Sequence, residues 1–371
     1  MQNVQIETLT PVHIGSGVEL QSNFEYLHFA EEQCVVLIDE KKVLDIIGED
    51  NINQWVACVD KKESLLALIR QRKPNVKAED VARRVIPLSI KGILEQKTIR
   101  EQLHISNGQA LMPGSSIKGA LRTAVWAHLI RQNSDWVAKG DKLGPKRFDN
   151  RTQTERIDYK DAFLMQDFMG RDPNQDIMRL LQVGDAAFDV TQCYKTDVAN
   201  QQRDKSWSLK PAIMQYVEAI PAGQKTVSRL RFQDTLKERA QNLFNDNADL
   251  IQPDALFELV NNHTRQVINN DLDYLEGNAN RPAAYGDYID TMNSMVDKID
   301  MCGNRSCILR LGYGTGYRSM TGDWLDIFDD KIFFPIVKAI RPTHPETLLF
   351  PKTARFATGG TPLGFIKLTL K

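Results

Sequence analysis

The stretch Met112-Pro113-Gly114-Ser115-Ser116-Ile117-Lys118-Gly119-Ala120-Leu121-Arg122-Thr123-Ala124-Val125-Trp126 combines a tight turn with the start of a helix. Pro-Gly marks the turn, and the hydroxyl of Ser115 or Ser116 is expected to cap the helix. Apolar residues then recur at i, i+3, i+4 and i+7 spacing, which predicts one buried helical face. Lys118 and Arg122 lie four residues apart on a different face, close to the helix N-terminus.

This helix start has two interpretations. Free N–H groups, two hydroxyls and two cations at a helix N-terminus suit a phosphate group. The same residues also describe a well-capped core helix with a solvated basic face. On this stretch alone we favour the core helix.

Two further glycine-bearing turns change that weighting. Thr10-Pro11-Val12-His13-Ile14-Gly15-Ser16-Gly17 lies near the N-terminus. Leu309-Arg310-Leu311-Gly312-Tyr313-Gly314-Thr315-Gly316-Tyr317-Arg318-Ser319-Met320-Thr321-Gly322 lies near the C-terminus. Three such turns, each beside an apolar segment and spread over the whole chain, favour a shared function.

Together the three motifs resemble the RAMP superfamily of CRISPR-associated RNA-binding proteins. In that family the first motif follows strand one, Pro-Gly-Ser-Ser-x-Lys-Gly opens a helix, and a glycine-rich loop lies near the C-terminus. All three occur here in that order. The resemblance is good at the termini and around residues 90–130 and 180–232, and poor around 135–175 and 233–300. Within the superfamily, the chain is most similar to the subunit at the 3′ end of the guide RNA (crRNA) in type III-A Csm effector complexes.

The resemblance implies a fold of class α+β, with two ferredoxin-like (RRM-like) RAMP modules and helical insertions. We place the first module at residues 1–200, with a charged insertion at about 135–175, and the second module at residues 201–371. Mixed helical and strand patterns, with few residues between successive strands, independently favour α+β and antiparallel pairing. Periodicity does not itself predict the ferredoxin-like modules.

The resemblance also implies a function and partners. The chain is expected to be a non-catalytic subunit that holds the 3′ part of the crRNA, caps the filament of backbone subunits and supports 3′-end maturation in antiviral defence. Its expected partners are crRNA, the backbone RAMP subunit, the small helical Csm subunit and host nucleases that trim the guide. The alternatives are a metal-independent RAMP endoribonuclease with His13 as the base, and a RAMP subunit of a type III-B (Cmr) complex.

Composition sets limits on these functions. A charged fraction of 26% and an apolar fraction of 42% are typical of an ordinary globular protein. The N-terminus lacks a signal-peptide pattern and the five cysteines lack regular spacing, so we expect a cytoplasmic protein without a membrane partner. The net charge of −1 counts against nucleic-acid binding, so an RNA-binding chain must concentrate its cations on one face.

The glycine-rich loop is the most distinctive candidate RNA site. Glycines let a backbone approach a ligand closely, interleaved aromatic rings can stack on bases, and arginine can pair with phosphate. The spacing matches neither a P-loop nor a dinucleotide fingerprint. A turn that buttresses two half-sheets is the alternative. The candidate RNA-binding residues from all three motifs and the last strand are His13, Gly15, Ser115, Ser116, Lys118, Arg122, Gly312, Tyr313, Gly314, Gly316, Tyr317, Arg318, Lys352 and Arg355.

We expect neither a cofactor nor a metal ion, and no catalytic residues. No second histidine or acid accompanies His13 in sequence, as acid–base cleavage would require. Cys302 and Cys307 lack the further ligands of a structural zinc site.

Local patterns predict several elements. Val4 to Leu9 and Cys34 to Ile38 are expected to be strands, Arg179 to Val183 a strand, and Asp323 to Phe334 a helix ended by Pro335. The segment from Lys139 to Lys160 contains seven Lys or Arg residues and four Asp or Glu residues. This composition indicates an insertion that is mobile or ordered by a partner. A solvated charged loop is an equally good interpretation of that insertion.

Overall fold

A computed structural model describes residues 2–61, 63–89, 94, 98–139, 143, 146–157, 162–202, 206–276, 284–340 and 351–371. The first strands, in chain order, are β1 (Gln2–Thr8), β2 (Gly15–Gln21), β3 (Tyr26–Phe29), β4 (Cys34–Ile38), β5 (Ala82–Pro87), β6 (Thr98–Gln102), β7 (Ala110–Met112), β8 (Lys146–Asp149) and β9 (Thr154–Ile157). The remaining strands are β10 (Leu181–Val183), β11 (Ala186–Phe188), β12 (Gln192–Gln201), β13 (Trp207–Leu209), β14 (Gln215–Ala219), β15 (Lys225–Phe232), β16 (Ser306–Arg310), β17 (Thr353–Ala357) and β18 (Phe365–Leu370).

The α-helices lie between these strands. They are α1 (Glu40–Ile47), α2 (Ile52–Lys61), α3 (Leu65–Arg72), α4 (Ala78–Val81), α5 (Gly114–Gln132), α6 (Ser134–Lys139), α7 (Ala162–Met169), α8 (Asp234–Arg239), α9 (Pro253–Glu276), α10 (Ala284–Asp300), α11 (Gly316–Thr321) and α12 (Asp330–Ile340). The mixture of helix and sheet confirms the α+β class. No helix in the described part of the chain is long and apolar enough to cross a membrane.

The first large sheet is antiparallel and has the strand order β10-β15-β1-β18-β16. Strand β1 lies at its centre because Val4 and Ile6 point into the core at alternate positions and are almost fully buried. The sheet combines strands from both halves of the chain. The division into modules at residue 200 stays a prediction.

The second large sheet contains β13-β12-β14-β6-β2, and β17 also pairs with β12. Its β14 and β6 are parallel, whereas the other pairs are antiparallel. The loop between β1 and β2 carries the first glycine motif, so this motif lies where the two sheets meet.

Helix α5 packs against the first sheet and against α9. Its residues Ile117, Leu121, Val125 and Leu129 are at most 1% exposed, which confirms the predicted buried face. Burial of each such side chain stabilises the fold by about 1.5–3 kcal/mol. A separate apolar core joins α1, α2 and α3 to the sheet β3-β4-β5.

Two predicted elements differ in the structure. The predicted helix Asp323 to Phe334 is a 3-10 turn, Trp324–Ile327, followed by α12. Pro335 lies inside α12, where the burial of Ile336 and Val337 offsets its missing N–H group. The predicted strand Arg179 to Val183 begins two residues later, because Asp176 caps a 3-10 turn over Ile177–Leu180.

The charged insertion has local structure of its own. Its described residues include α6, the hairpin β8-β9 and α7. Helix α7 packs against α5, with Leu164 and Phe168 in the main core. Residues 140–142, 144–145 and 158–161 of the insertion lie outside the described residues.

Candidate RNA interface

The glycine-rich loop is held against the first glycine motif by backbone contacts. The N–H of Tyr313 donates to the carbonyl oxygen of His13 over 2.9 Å. Gly312 has φ of +89°, and a Cβ there would lie 2.6 Å from the same oxygen. Glycine is therefore required at position 312 both by its conformation and by the close approach of the two chains.

Gly314 and Gly316 also occupy the left-handed region, with φ of +78° and +85°. Residues other than glycine rarely adopt this conformation, so both positions favour glycine. A Cβ at Gly314 would lie 2.7 Å from Cδ1 of Leu363, whereas a Cβ at Gly316 would meet no atom within 4 Å. Gly316 begins α11. The two glycines therefore have different sensitivities to substitution.

His13 is buried beneath the loop and is only 2% exposed. Its Nδ1–H donates to the carbonyl oxygen of Glu218 over 2.5 Å, which leaves Nε2 unprotonated in the neutral ring. Its ring meets that of Tyr313 edge-on, with centroids 5.5 Å apart. Burial lowers the pKa of His13 below its usual value. His13 is therefore neutral near pH 7 and supports the loop.

Glu218 holds His13 through its backbone carbonyl, while its side chain binds other residues. Its carboxylate is fully buried, pairs with Arg84, lies 3.4 Å from Nε2 of His104 and accepts a hydrogen bond from Thr191 over 2.6 Å. Burial alone would raise its pKa, but the hydrogen bond from His104 and the charge of Arg84 hold the pKa of Glu218 below its usual value. This carboxylate is committed to internal partners.

Residues of all three glycine-bearing motifs line one cleft of about 350 Å³, which we call the central cleft. Its lining residues from the motifs include His13, Gly15, Ser116, Gly312 and Tyr313. Nearly 300 residues of sequence separate His13 from Gly312. Their convergence supports the interpretation that the three motifs serve one site. Ser115 is exposed on α5 and lies outside this lining.

A larger cleft of about 900 Å³ adjoins the central cleft and shares Gly312 and Tyr313 with it. We call it the arginine cleft. Its other lining residues include Arg100, Gly314, Gly316, Tyr317 and Arg355. Lys352 lies between two lining residues, Pro351 and Thr353, but does not itself line the cleft.

Tyr313 contacts two arginines in the arginine cleft. The guanidinium carbons of Arg100 and Arg355 lie 5.1 and 5.2 Å from its ring centroid. Its hydroxyl donates to Oε1 of Gln215. The ring that sequence predicts to stack on RNA bases thus contacts cations of the protein itself. Half-buried Tyr317 also lines this cleft.

The start of α5 differs from the prediction. The helix begins at Gly114, with Pro113 rather than a serine at the N-cap. The carboxylate of Asp185 accepts a hydrogen bond from the Gly114 N–H over 2.7 Å. A Cβ at Gly114 would lie 2.2 Å from the carbonyl oxygen of Val183, so glycine permits this close packing. An internal carboxylate therefore lies where sequence suggested a phosphate.

Lys118 and Arg122 line a third cleft of about 520 Å³, between α5, α7 and the turn around Pro173. We call it the helix-face cleft. Arg122 Nη1 lies 2.6 Å from Oδ2 of Asp176. Burial lowers the pKa of Lys118, which is half-buried. The lining of this cleft includes no residue of the glycine-rich loop.

Arg318 is directed into the protein rather than toward the clefts. Its side chain lies 3.1 Å from Asp271 and 2.7 Å from Asp323, and is 13% exposed. Arg310 lies 3.7 Å from the same Asp271. This buried ion-pair network fixes α11 to α9. We therefore leave Arg318 out of the proposed RNA contacts.

Two contacts of the site were missed in the sequence. Arg100, on β6, and Gln215, on β14, belong to none of the three glycine-bearing motifs. A signal existed for Arg100, since cations among β-branched residues on a strand are expected to be exposed. Nothing local indicates that Arg100 and Arg355 meet at one tyrosine.

The described residues contain no group of three or more His, Cys, Asp or Glu placed to hold a metal ion. Cys307 is fully buried, and burial raises the pKa of its thiol well above its usual value.

Comparison with known families gives a match to the RAMP superfamily over residues 5–281, which is most of the chain. The chain belongs to the RAMP superfamily. No curated protein sequence matches it.

Two solved structures have the same overall fold. One is a chain in the cryo-EM structure of a Csm–crRNA–target RNA ternary complex of a type III-A CRISPR–Cas system, with a TM-score of 0.70, 19% identity, and 100% of each chain covered. The other is the crystal structure of T. onnurineus Csm5, with a TM-score of 0.65, 18% identity, and 98% of this RAMP chain and 99% of that chain covered.

Proposed function

We propose that this RAMP protein is a non-catalytic subunit of a type III-A Csm effector complex and that it holds the 3′ part of the crRNA. The convergence of three glycine-bearing motifs at the central cleft carries this proposal. A ligand that contacts all three motifs would account for the convergence of residues so distant in sequence.

The charge distribution is consistent with a short RNA contact. The chain has a net charge of −1, so it lacks the general excess of cations that non-specific RNA binding uses. Arg100 and Arg355 instead concentrate positive charge along one cleft. Such a surface grips the RNA backbone, while base pairing of the guide reads sequence, as in another CRISPR class.

The proposed role is non-catalytic. A general base must reach a substrate hydroxyl and accept its proton. His13 is almost fully buried, its Nδ1–H is bound to the Glu218 carbonyl, and the Glu218 carboxylate is committed to Arg84 and His104. The chain would therefore support trimming of the guide 3′ end by host nucleases rather than cut RNA itself.

The likeness to a chain of a type III-A Csm complex and to Csm5, at 18–19% identity, supports the type III-A assignment. We propose that the chain caps the filament of backbone RAMP subunits and contacts the small helical subunit. We also keep the two ferredoxin-like modules, at residues 1–200 and 201–371, as part of this proposal.

Co-purification tests this role. The tagged chain is expressed with the other Csm subunits and a guide, and the bound RNA is sequenced with and without the chain. We expect the chain to retain crRNA, and we expect its omission to leave the other subunits with guides whose 3′ ends are altered. Guides with unchanged 3′ ends in its absence would contradict the proposal.

A cleavage assay tests the absence of catalysis. The purified chain is incubated with guide-precursor RNA, with and without EDTA, beside the variant His13→Ala. We expect no cleavage in any sample. Metal-independent cleavage that His13→Ala abolishes would favour the endoribonuclease instead.

A further inference from the structure

The arginine cleft contains an unusual arrangement, namely two cations on one aromatic ring. Arg100 extends from β6 and Arg355 from β17, and both contact the ring of Tyr313. Like charges repel, so an arrangement that brings two guanidinium groups to one ring has an electrostatic cost. Burial lowers the pKa of Arg355, and the charge of Arg100 acts in the same direction.

Each arginine is held in place while keeping N–H groups for a ligand. Arg355 donates from Nη1 to Thr196 over 2.8 Å and from Nη2 to the Ile213 carbonyl over 3.2 Å. Arg100 lies 3.1 Å from Glu19, a carboxylate that is 46% exposed. The Arg100 side chain is itself 39% exposed. A guanidinium has five N–H donors, so both groups retain capacity for an anion.

Tyr313 is itself fixed at three points. Its N–H is bound to the His13 carbonyl, its ring edge meets the His13 ring, and its hydroxyl is bound to Gln215. Burial raises its pKa, so the hydroxyl keeps its proton near pH 7 and remains a donor. The glycine-rich loop therefore provides a rigid platform for the two arginines.

We propose that Arg100 and Arg355, placed side by side by Tyr313, bind the phosphodiester backbone of single-stranded RNA in the arginine cleft. Tyr313 is a positioning residue in this site rather than a base-stacking platform. Planar guanidinium groups suit phosphate oxygens because each can donate two parallel hydrogen bonds. An RNA phosphate offsets the repulsion between the two cations. This inference rests on the proposed RNA-binding function and assigns its chemistry to one cleft.

The test measures the affinity of the full-length chain for a fluorescein-labelled single-stranded uridine oligonucleotide over a series of salt concentrations. The variants are Arg100→Gln and Arg355→Gln, with Arg229→Gln as the matched control. Arg229 is an exposed arginine on β15 that lines none of the three clefts. We expect each cleft variant to bind about tenfold more weakly and to lower the salt slope by about 0.7. The control should bind like the unaltered chain.

Two tyrosine variants separate positioning from stacking. Tyr313→Phe keeps the ring and is expected to bind RNA within about twofold of the unaltered chain, with the same salt slope. Tyr313→Leu removes the ring and is expected to lower the salt slope as the arginine variants do. A stacking residue would change affinity but leave the salt slope unchanged, since no phosphate contact is lost. Thermal melting is followed in parallel; if Tyr313→Leu does not fold, the arginine variants decide alone.

The outcomes separate this inference from the proposed function. If the unaltered chain binds RNA but Arg100→Gln and Arg355→Gln bind it like Arg229→Gln, the arginine site is wrong and the RNA-binding function remains. If the unaltered chain and its assembled complex bind no RNA, both are wrong. A lower salt slope in both cleft variants, with an unchanged control, supports the site.

Discussion

The arginine cleft is lined by two cations, Arg100 and Arg355, and the helix-face cleft by four, Lys118, Arg122, Arg171 and Arg179. The two sets of cations have different neighbours. In the helix-face cleft Arg122 pairs with Asp176, and Asp185 binds the Gly114 N–H at the helix start. In the arginine cleft Arg100 and Arg355 both contact the uncharged ring of Tyr313. Among the described residues, Arg100 forms an ion pair with Glu19, and Arg355 forms none.

The difference shows why a basic motif does not by itself define an anion site. Asp176 lies 54 residues from Arg122 and Asp185 lies 71 residues from Gly114, yet folding brings both carboxylates to the basic turn. An internal acid reduces the charge available to a phosphate. The arginine cleft instead gains a cation, Arg100, from a strand outside the three motifs.

The largest expected effect is on the stability of the glycine-rich loop. Gly312→Ala should lower the free energy of unfolding by about 3 kcal/mol, because a Cβ would both strain the backbone and meet the His13 carbonyl. Gly316→Ala, the matched control, should cost only about 1 kcal/mol, since it has a similar φ but open space. Urea denaturation of the two variants measures the difference. Equal losses would mean that the contact with His13 contributes nothing.

The second effect concerns pH and the burial of His13. Its folded pKa is lowered, so the unfolded chain binds a proton below about pH 6.5 that the folded chain does not. Stability should therefore fall as pH drops below this value, by up to about 1.4 kcal/mol per pH unit until the folded pKa is reached.

His13→Gln should remove this part of the pH dependence. Melting curves are recorded between pH 7 and pH 5, a range of about two pH units around the pKa of free histidine. The control is His128→Gln, which replaces a half-buried histidine on α5 whose pKa is also lowered by burial. We expect the smaller change for His128→Gln. A larger change for His128→Gln than for His13→Gln would contradict the assignment of this pH dependence to His13.

The third effect tests the helix-face cleft as an RNA site. Arg122 is already paired with Asp176, so Lys118→Ala with Arg122→Ala should lower the salt slope of RNA binding by at most about 0.7, one phosphate rather than two. The pair Arg100→Gln with Arg355→Gln is the reference. If the helix-face double variant lowered the salt slope more than the arginine double variant, the helix-face cleft rather than the arginine cleft would be the main phosphate site.

The smallest effect is a gain in stability. Gly119 is exposed inside α5, and a Cβ there would meet no atom within 4 Å. Gly119→Ala should therefore raise the free energy of unfolding by about 0.5–1 kcal/mol, as expected for an exposed helix interior. Gly114→Ala at the same helix start should destabilise, because its Cβ would meet the Val183 carbonyl. A loss of stability in Gly119→Ala would contradict this expectation and would mean that the added methyl group clashes with a neighbour.

Local patterns predicted much of the fold. Alternating apolar residues placed β1, and the residues Cys34–Ile38 form β4 as expected. The buried face of α5 followed from its helical spacing. The predicted end of the helix at Pro335 was wrong, because burial of Ile336 and Val337 offsets the usual helix-breaking effect of proline. That burial depends on tertiary packing, which the local pattern does not show.

The site was only partly predictable. The motif indicated a glycine-rich turn, and the structure has positive φ at Gly312, Gly314 and Gly316. The inward direction of Arg318 depends on Asp271 and Asp323, and the contact of Arg100 with Tyr313 depends on the meeting of β6 with the loop. These are tertiary contacts between distant segments, and no sequence spacing encodes them.

Photo-crosslinking tests the central claim most directly. The assembled complex is prepared with a guide that carries photoactivatable thiouridine in its 3′ part or, in a second sample, in its 5′ part. Each sample is irradiated and analysed for crosslinked peptides of this chain. We predict crosslinks to the peptides that contain Arg100, Tyr313 and Arg355, which line the arginine cleft. Crosslinks confined to the peptide that contains Lys118 and Arg122, or found only with thiouridine in the 5′ part of the guide, would contradict the account.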